Sequence, residues 1–201
     1  MKIAVICGSH RREAESLRVA RYVVRQLNEL GVDDVYLLAL TNNPLPLWDE
    51  GIWEDDPKWH ELWRPIAAQL RSAEGLVIIS PEWSGMVPSG LKNFFLLCGK
   101  DVLAHKPGLI ISVSASLGGA YPVAELRMSS YKNTRICYIP DHMIIRNVGQ
   151  MLHGDSPQSQ EDAAVRDRLR YCLVVLLEYT KALRLVRQSG VIDLDTFPYG
   201  L

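Results

Sequence analysis

No two of the four cysteines, Cys7, Cys98, Cys137 and Cys172, stand near each other in the sequence, which excludes a CxxC metal or redox pair. Cys7, Cys98 and Cys172 fall in apolar runs and Cys137 in a predicted strand. Such placement suits small buried hydrophobes in a reducing compartment. No stretch approaches the ~20 apolar residues of a membrane span. The N-terminus has one Lys and an apolar run that breaks at Gly8, short of a signal peptide, so the chain reads as soluble and cytoplasmic. An excess of one charge is lacking as well. The net charge of −1 gives no electrostatic case for DNA, RNA or an anionic membrane as a partner. There is no internal repeat, low-complexity stretch or domain linker. His105, His142 and His153 show no ligand spacing, so no metal is expected. His10 is expected to face solvent, and His60 to pack beside Trp59 and Trp63. No Ser-His-Asp or Cys-His set stands out, so no catalytic side chain is assigned.

What is present is the composition of one well-buried domain: 201 residues, 48% apolar and 22% charged. Residues 1–7 form a short apolar run rich in β-branched side chains, the pattern of a strand buried on both faces. Leu17, Ala20, Val23, Val24, Leu27 and Leu30 recur at helical spacing, and Gly31 follows as a helix stop. Residues 34–40 read as a second strand and 41–56, rich in Pro, Asn, Trp and acid, as an irregular loop. Pro57 opens a helix expected to run to about residue 73. Strands are predicted at 75–80, 107–114 and 135–140, with the Met-Ile-Ile-Arg-Asn-Val run after the last as its extension or a loop edge. Helices are predicted at 88–99, 120–132 and 158–187, and the last dozen residues form a tail that docks or extends. Strands alternating with helices indicate a parallel sheet covered on both sides, joined by right-handed crossovers. The fold expected is α/β, a flavodoxin-like three-layer αβα sandwich with a five-stranded parallel sheet, over a single domain at 1–201.

Ligands of such sheets bind outside the carboxyl ends of the strands, so three loops matter most. The first runs from Gly8 through Ser9, His10, Arg11 and Arg12 to Ser16. It joins a glycine turn and a helix N-terminus to hydroxyls and guanidinium groups, a setting that attracts phosphate; a plain helix cap with solvated arginines also accounts for it. It is neither a Walker A loop nor a GxGxxG fingerprint. The second, from Pro81 through Glu82, Trp83, Ser84 and Gly85 to Pro88, offers backbone donors and an aromatic wall for a flat heteroaromatic ring; the alternative is a tight turn anchored by Trp83. The third, from Ser114 through Ser116 to Gly118 and Gly119, has small residues that let backbone approach a ligand, or is simply a flexible loop. Trp48, Trp53, Trp59 and Trp63 cluster around the long second loop, where they roof a pocket, bury a subunit interface or, for Trp59 and Trp63, fill the core.

These residues resemble the NADPH-dependent FMN reductase family of flavodoxin-like proteins, which includes quinone, azo-dye and chromate reductases. The family pattern has G-S-x-R-x-x-S after the first strand and P-E-Y-x-x-x-x-P-x-x-L-K-N after the third. Here the second motif stands as Pro81-Glu82-Trp83, then Pro88, then Leu91-Lys92-Asn93. The resemblance covers about residues 1–150. It implies that Ser9, Arg11 and Ser16 hold the FMN phosphate, that Pro81, Glu82, Trp83, Ser84 and Gly85 wrap the isoalloxazine ring, and that Ser114, Ser116, Gly118 and Gly119 line its other side. It also implies NADPH or NADH as electron donor, a quinone, flavin or similar small molecule as acceptor, and a homodimer or homotetramer with flavin sites near the interface. The chain departs from the pattern in two places. Four residues separate Arg11 from Ser16 where the family has two, with Arg18 where Asn or Thr is usual, and Trp83 and Ser84 replace the usual Tyr and Asn. A flavin carrier without its own turnover, or an oligomeric scaffold without flavin, are the alternatives.

Overall fold

The sheet order is β2-β1-β3-β4-β5 with every neighbouring pair parallel, formed by β1 (Lys2–Cys7), β2 (Asp34–Ala39), β3 (Gly75–Pro81), β4 (Pro107–Val113) and β5 (Cys137–Ile145). The computed structural model describes residues 1–200, and Leu201 lies outside the described residues. All side chains of β3 and β4 are buried, as expected where helices cover both faces of a parallel sheet.

The alternation of strand side chains divides the core. Ile3, Val5, Cys7, Val77 and Ile79 pack against α1 (Glu15–Glu29) and α6 (Gln160–Gln188). Ala4, Ile6, Leu76, Ile78 and Ile110 pack on the other face against α2 (Pro57–Leu62), α3 (Arg64–Ser72), α4 (Ser89–Leu97) and α5 (Ala120–Ser129). The αβα sandwich read from the sequence is therefore the one observed. Gly31 ends α1 at φ +83°, and the Val32 N–H reaches back to the Leu27 carbonyl at 3.0 Å, closing the helix through a left-handed residue.

Two elements differ from expectation. The helix expected from residue 57 to about 73 is two helices meeting at Trp63. Pro65 has no N–H to give and its ring crowds the preceding turn. The last strand runs on to Ile145, and its register against β4 shifts between Gly108 and Ile110, where Tyr138 gives way to His142 as partner. Pro140 falls in that irregularity, at the edge of the sheet where a missing donor is tolerated. The C-terminal tail docks. Arg135 donates to the carbonyls of Phe197, Pro198 and Tyr199, and Lys100 pairs with Asp195.

No helix among the described residues is long and apolar enough to cross a membrane.

Candidate functional site

The loops after β1, β3 and β4 lie side by side at the carboxyl edge, tied by backbone bonds. The Gly8 N–H donates to the Ile79 carbonyl at 2.8 Å, and the Glu82 N–H to the Val113 carbonyl at 2.9 Å. The β1/β3 boundary is where the sequence order of the strands reverses, and it opens a crevice there.

In the first loop Ser9 is 1% exposed and Ser16 2%. Arg11 and Arg12 are exposed and form no ion pair among the described residues. Ser16 does not cap α1. The cap position falls on Ala14, which has no side chain to accept a bond, so no side chain satisfies the first N–H groups of this helix. The two extra residues of the loop thus place Ser16 inside the first turn. Arg18 is committed elsewhere. It pairs with Glu15 and donates to the carbonyls of Val148, Met151 and Leu152 at 2.7, 2.8 and 3.0 Å, clamping the segment after β5.

In the second loop Trp83 and Met86 exchange backbone bonds of 3.1 and 2.9 Å around Ser84 and Gly85, both at positive φ (52° and 73°). This is a two-residue hairpin turn of the kind that needs left-handed backbone at both central residues. Pro81 is the last residue of β3, buried beside Val113. His10 does not face solvent as expected. Its ring meets Trp83 edge to face at 4.7 Å, and its Nδ1 is buried without a partner against Gly90 at the start of α4. Tyr121 lies along the hairpin at Gly85.

In the third loop the Ser114 hydroxyl accepts from the Ser116 N–H at 3.2 Å. The glycine pair leaves room for protein atoms. A side chain on Gly118 would meet the Glu82 carboxylate at 2.5 Å, and one on Gly119, at φ +107°, would meet Ile144 at 2.5 Å. The Glu82 carboxylate accepts from the N–H groups of Gly119 and Tyr121 at 2.7 and 3.3 Å. On the segment entering α4, Glu125 accepts from the Val87 N–H at 2.8 Å and pairs with Lys92 at 2.6 Å. Partial burial raises its pKa, but Lys92 and the Val87 N–H outweigh that and hold it below the usual carboxylate range. Asn93 grips the long second loop, accepting from the Trp48 N–H at 2.7 Å and donating to the Pro46 carbonyl at 2.8 Å.

The carboxyl edge therefore has an electrostatic asymmetry. Acidic side chains are bonded to backbone N–H groups at the start of α5 and on the segment entering α4, whereas at the start of α1 Glu15 pairs with Arg18, no side chain caps the first N–H groups, and Arg11 and Arg12 stand unpaired in the preceding loop. A helix start of that kind attracts anions. A cleft of about 570 Å³ between His10, Arg12, Asn42 and Asn43 adjoins it. A larger hollow, about 950 Å³, lies over α4, walled by Trp53, Trp59, Trp63 and Phe95. Trp59 and Trp63 are 2% and 5% exposed, mainly core residues, whereas Trp53 is 76% exposed and meets Trp48 edge to face at 5.0 Å. His60 pairs with Asp55 rather than packing as expected. No group of three or more metal-ligating side chains occurs among the described residues, and all four cysteines are free thiols.

Sequence reasoning placed His10 in the first loop but facing solvent, gave Tyr121 at the end of the third loop no role, and missed Glu125. The only signal was their position, since His10 falls inside the first motif and the other two follow the glycine pair at helical spacing.

The sequence profile of the NADPH-dependent FMN reductase family matches residues 1–150. A quinone reductase of Pseudomonas putida is 30% identical over 122 residues, which are 58% of this chain and 62% of that protein. The chain thus spans less than two thirds of that relative's length. A 2-hydroxy-1,4-benzoquinone reductase of a Burkholderia species is 32% identical over 132 residues, 63% of this chain and 68% of that protein. Among solved structures, FerB, a flavoenzyme NAD(P)H:(acceptor) oxidoreductase from Paracoccus denitrificans, superposes with a TM-score of 0.72. It is 16% identical and covers 90% of this chain and 97% of its own, which speaks to the fold.

Proposed function

The chain belongs to the NADPH-dependent FMN reductase family, and on that premise we propose that it is an FMN-dependent oxidoreductase, passing electrons from NADPH or NADH to a quinone, a flavin or a similar small acceptor. One observation carries this reading in the fold: the uncapped start of α1 beside unpaired Arg11 and Arg12. It fits the phosphate end of FMN, with Arg11 as the cation, Ser9 and Ser16 as flanking hydroxyls and the free N–H groups of the first turn as donors.

The ring end fits the opposite side of the crevice. Trp83, Ser84 and Gly85 form a rigid turn whose backbone faces a ligand, Pro81 and Glu82 fix its stem, and Ser114, Ser116, Gly118 and Gly119 form the facing wall. When bound, FMN supplies the hydride and electron chemistry. The protein binds and orients it and walls off water with Trp83, Tyr121 and His10. The whole chain acts as one FMN-binding domain in the cytoplasm and needs neither a metal nor a nucleic-acid partner.

A second copy of the chain completes the pocket. Leu117, Tyr121 and Met128 are 76%, 67% and 77% exposed, a run of apolar side chains beside the crevice and along α5 that suits a subunit contact. The test of the reading is steady-state oxidation of NADPH by the FMN-loaded protein with benzoquinone as acceptor. Turnover above that of free FMN supports it, and turnover equal to free FMN sinks it.

A further inference from the structure

We propose that Glu82 is a positioning residue that locks the two walls of the ring site together. This rests on the flavin reading above. Glu82 is held at two points on different elements. Its N–H donates to the Val113 carbonyl at the end of β4. Its Oε2 accepts from the N–H groups of Gly119, at 2.7 Å, and Tyr121, at 3.3 Å, at the first turn of α5. The loop after β3 and the start of α5 are therefore tied to each other through this one side chain.

The first turn of a helix has N–H groups with no partner inside the helix. In α5 two of the groups at its start are taken by Glu82, and Pro122 has none. The Ala120 N–H is left without an acceptor among the described residues, on an exposed residue. Glu82 thus selects which backbone donor this wall offers to a ligand. A carboxylate at a helix start is also favoured by the helix dipole.

Gly118 is the seat of this contact. A methyl group there would stand 2.5 Å from the Glu82 Oε1 and 3.3 Å from its carboxyl carbon. The clash is with the end of a flexible side chain, so alanine at 118 is accommodated by moving the carboxylate off the Gly119 and Tyr121 N–H groups. Two substitutions in different loops should therefore give one phenotype.

The experiment compares wild type with Glu82→Ala, Glu82→Gln and Gly118→Ala, each checked for an intact fold by circular dichroism. FMN affinity is read by quenching of flavin fluorescence. Amide exchange at Gly119 and Tyr121 is read in protein without flavin. The Ala variants at both positions are expected to lose FMN affinity by about tenfold or more and to exchange faster at those two amides, since charge-assisted bonds to backbone are lost. Glu82→Gln retains an oxygen acceptor and is expected to stay within about threefold of wild type. The proposal is overturned if Glu82→Ala binds FMN as wild type does, if its two amides exchange no faster, or if Glu82→Gln loses as much as Glu82→Ala. A wild type that takes up no FMN overturns the flavin reading itself, and the exchange data separate that failure from this one.

Discussion

Gly8 and Leu91 approach so closely that no side chain fits between them: a Cβ on Gly8 would lie 2.6 Å from the Leu91 Cδ2 and 3.0 Å from the Ile79 carbonyl oxygen. Gly8 opens the first motif and Leu91 belongs to the second, so the two motifs are a packing pair as well as ligand loops. Leu91 is fully buried and cannot swing away. Gly8→Ala is expected to destabilise the protein by about 1–3 kcal/mol through overpacking, measured by urea denaturation. An unchanged midpoint would mean that the strand end has room to shift.

Arg11 and Arg18 stand in one loop–helix segment but are expected to respond oppositely to truncation. Arg11 is exposed and unpaired, so Arg11→Ala should leave stability unchanged and weaken FMN binding by about tenfold or more. Arg18 clamps three carbonyls of the segment after β5, so Arg18→Ala should cost about 1.5–3 kcal/mol of stability with little change in FMN affinity. Paired urea melts and flavin titrations check both. Equal FMN affinity in Arg11→Ala and wild type would remove Arg11 from the phosphate site.

How much of this was legible in the sequence depends on what each residue does. Strand runs such as Gly75–Pro81 and the glycine stop at Gly31 speak through local pattern, and the sheet follows from them. Pro65 stands in the sequence too, yet the segment opened by Pro57 reads as a single helix to about residue 73, where the Pro65 ring enforces two. The crevice was legible as three loops, because strand ends declare where they are. Occupancy inside the loops was not. The partners of Gly118, Gly119 and Gly8 are Glu82, Ile144 and Leu91, far away in sequence, and only tertiary packing brings them to the glycines. Arg18, too, finds its acceptors more than a hundred residues on, which no spacing rule foretells.

Lys106 gives the protein a pH dependence of defined sign. Its Nζ donates to the carbonyls of Leu70, Arg71 and Val102 at 2.7, 2.9 and 2.9 Å, and burial, with Arg187 adding to it, pushes its pKa down to about 8. Above that pH the folded protein holds fewer protons at this site than the unfolded chain does, up to the ordinary lysine value of about 10.4. The contribution of this site to stability therefore rises with pH through that window. Buried thiols such as Cys98, whose pKa burial raises, act in the opposite direction. The clean readout is the difference in unfolding free energy between wild type and Lys106→Met. It should grow by about 1–2 kcal/mol from pH 8 to 9.5, and a flat difference would show that Lys106 is not depressed.

Met128 is 77% exposed on α5 near Tyr131, which is 50% exposed. If this face is covered by a second copy, Met128→Glu should convert an oligomer to a monomer in sedimentation velocity while the fold is retained, because a buried unpaired charge is costly. An unchanged sedimentation coefficient would place the subunit contact elsewhere.

The most direct test of the central claim is a spectral titration of the purified protein with FMN, followed by NADPH without air in the same cuvette. The expected result is a shifted flavin band that saturates at low micromolar FMN and bleaches on NADPH addition faster than free FMN does. No perturbation of the band at about 100 μM FMN, where even weak micromolar sites fill, would contradict it.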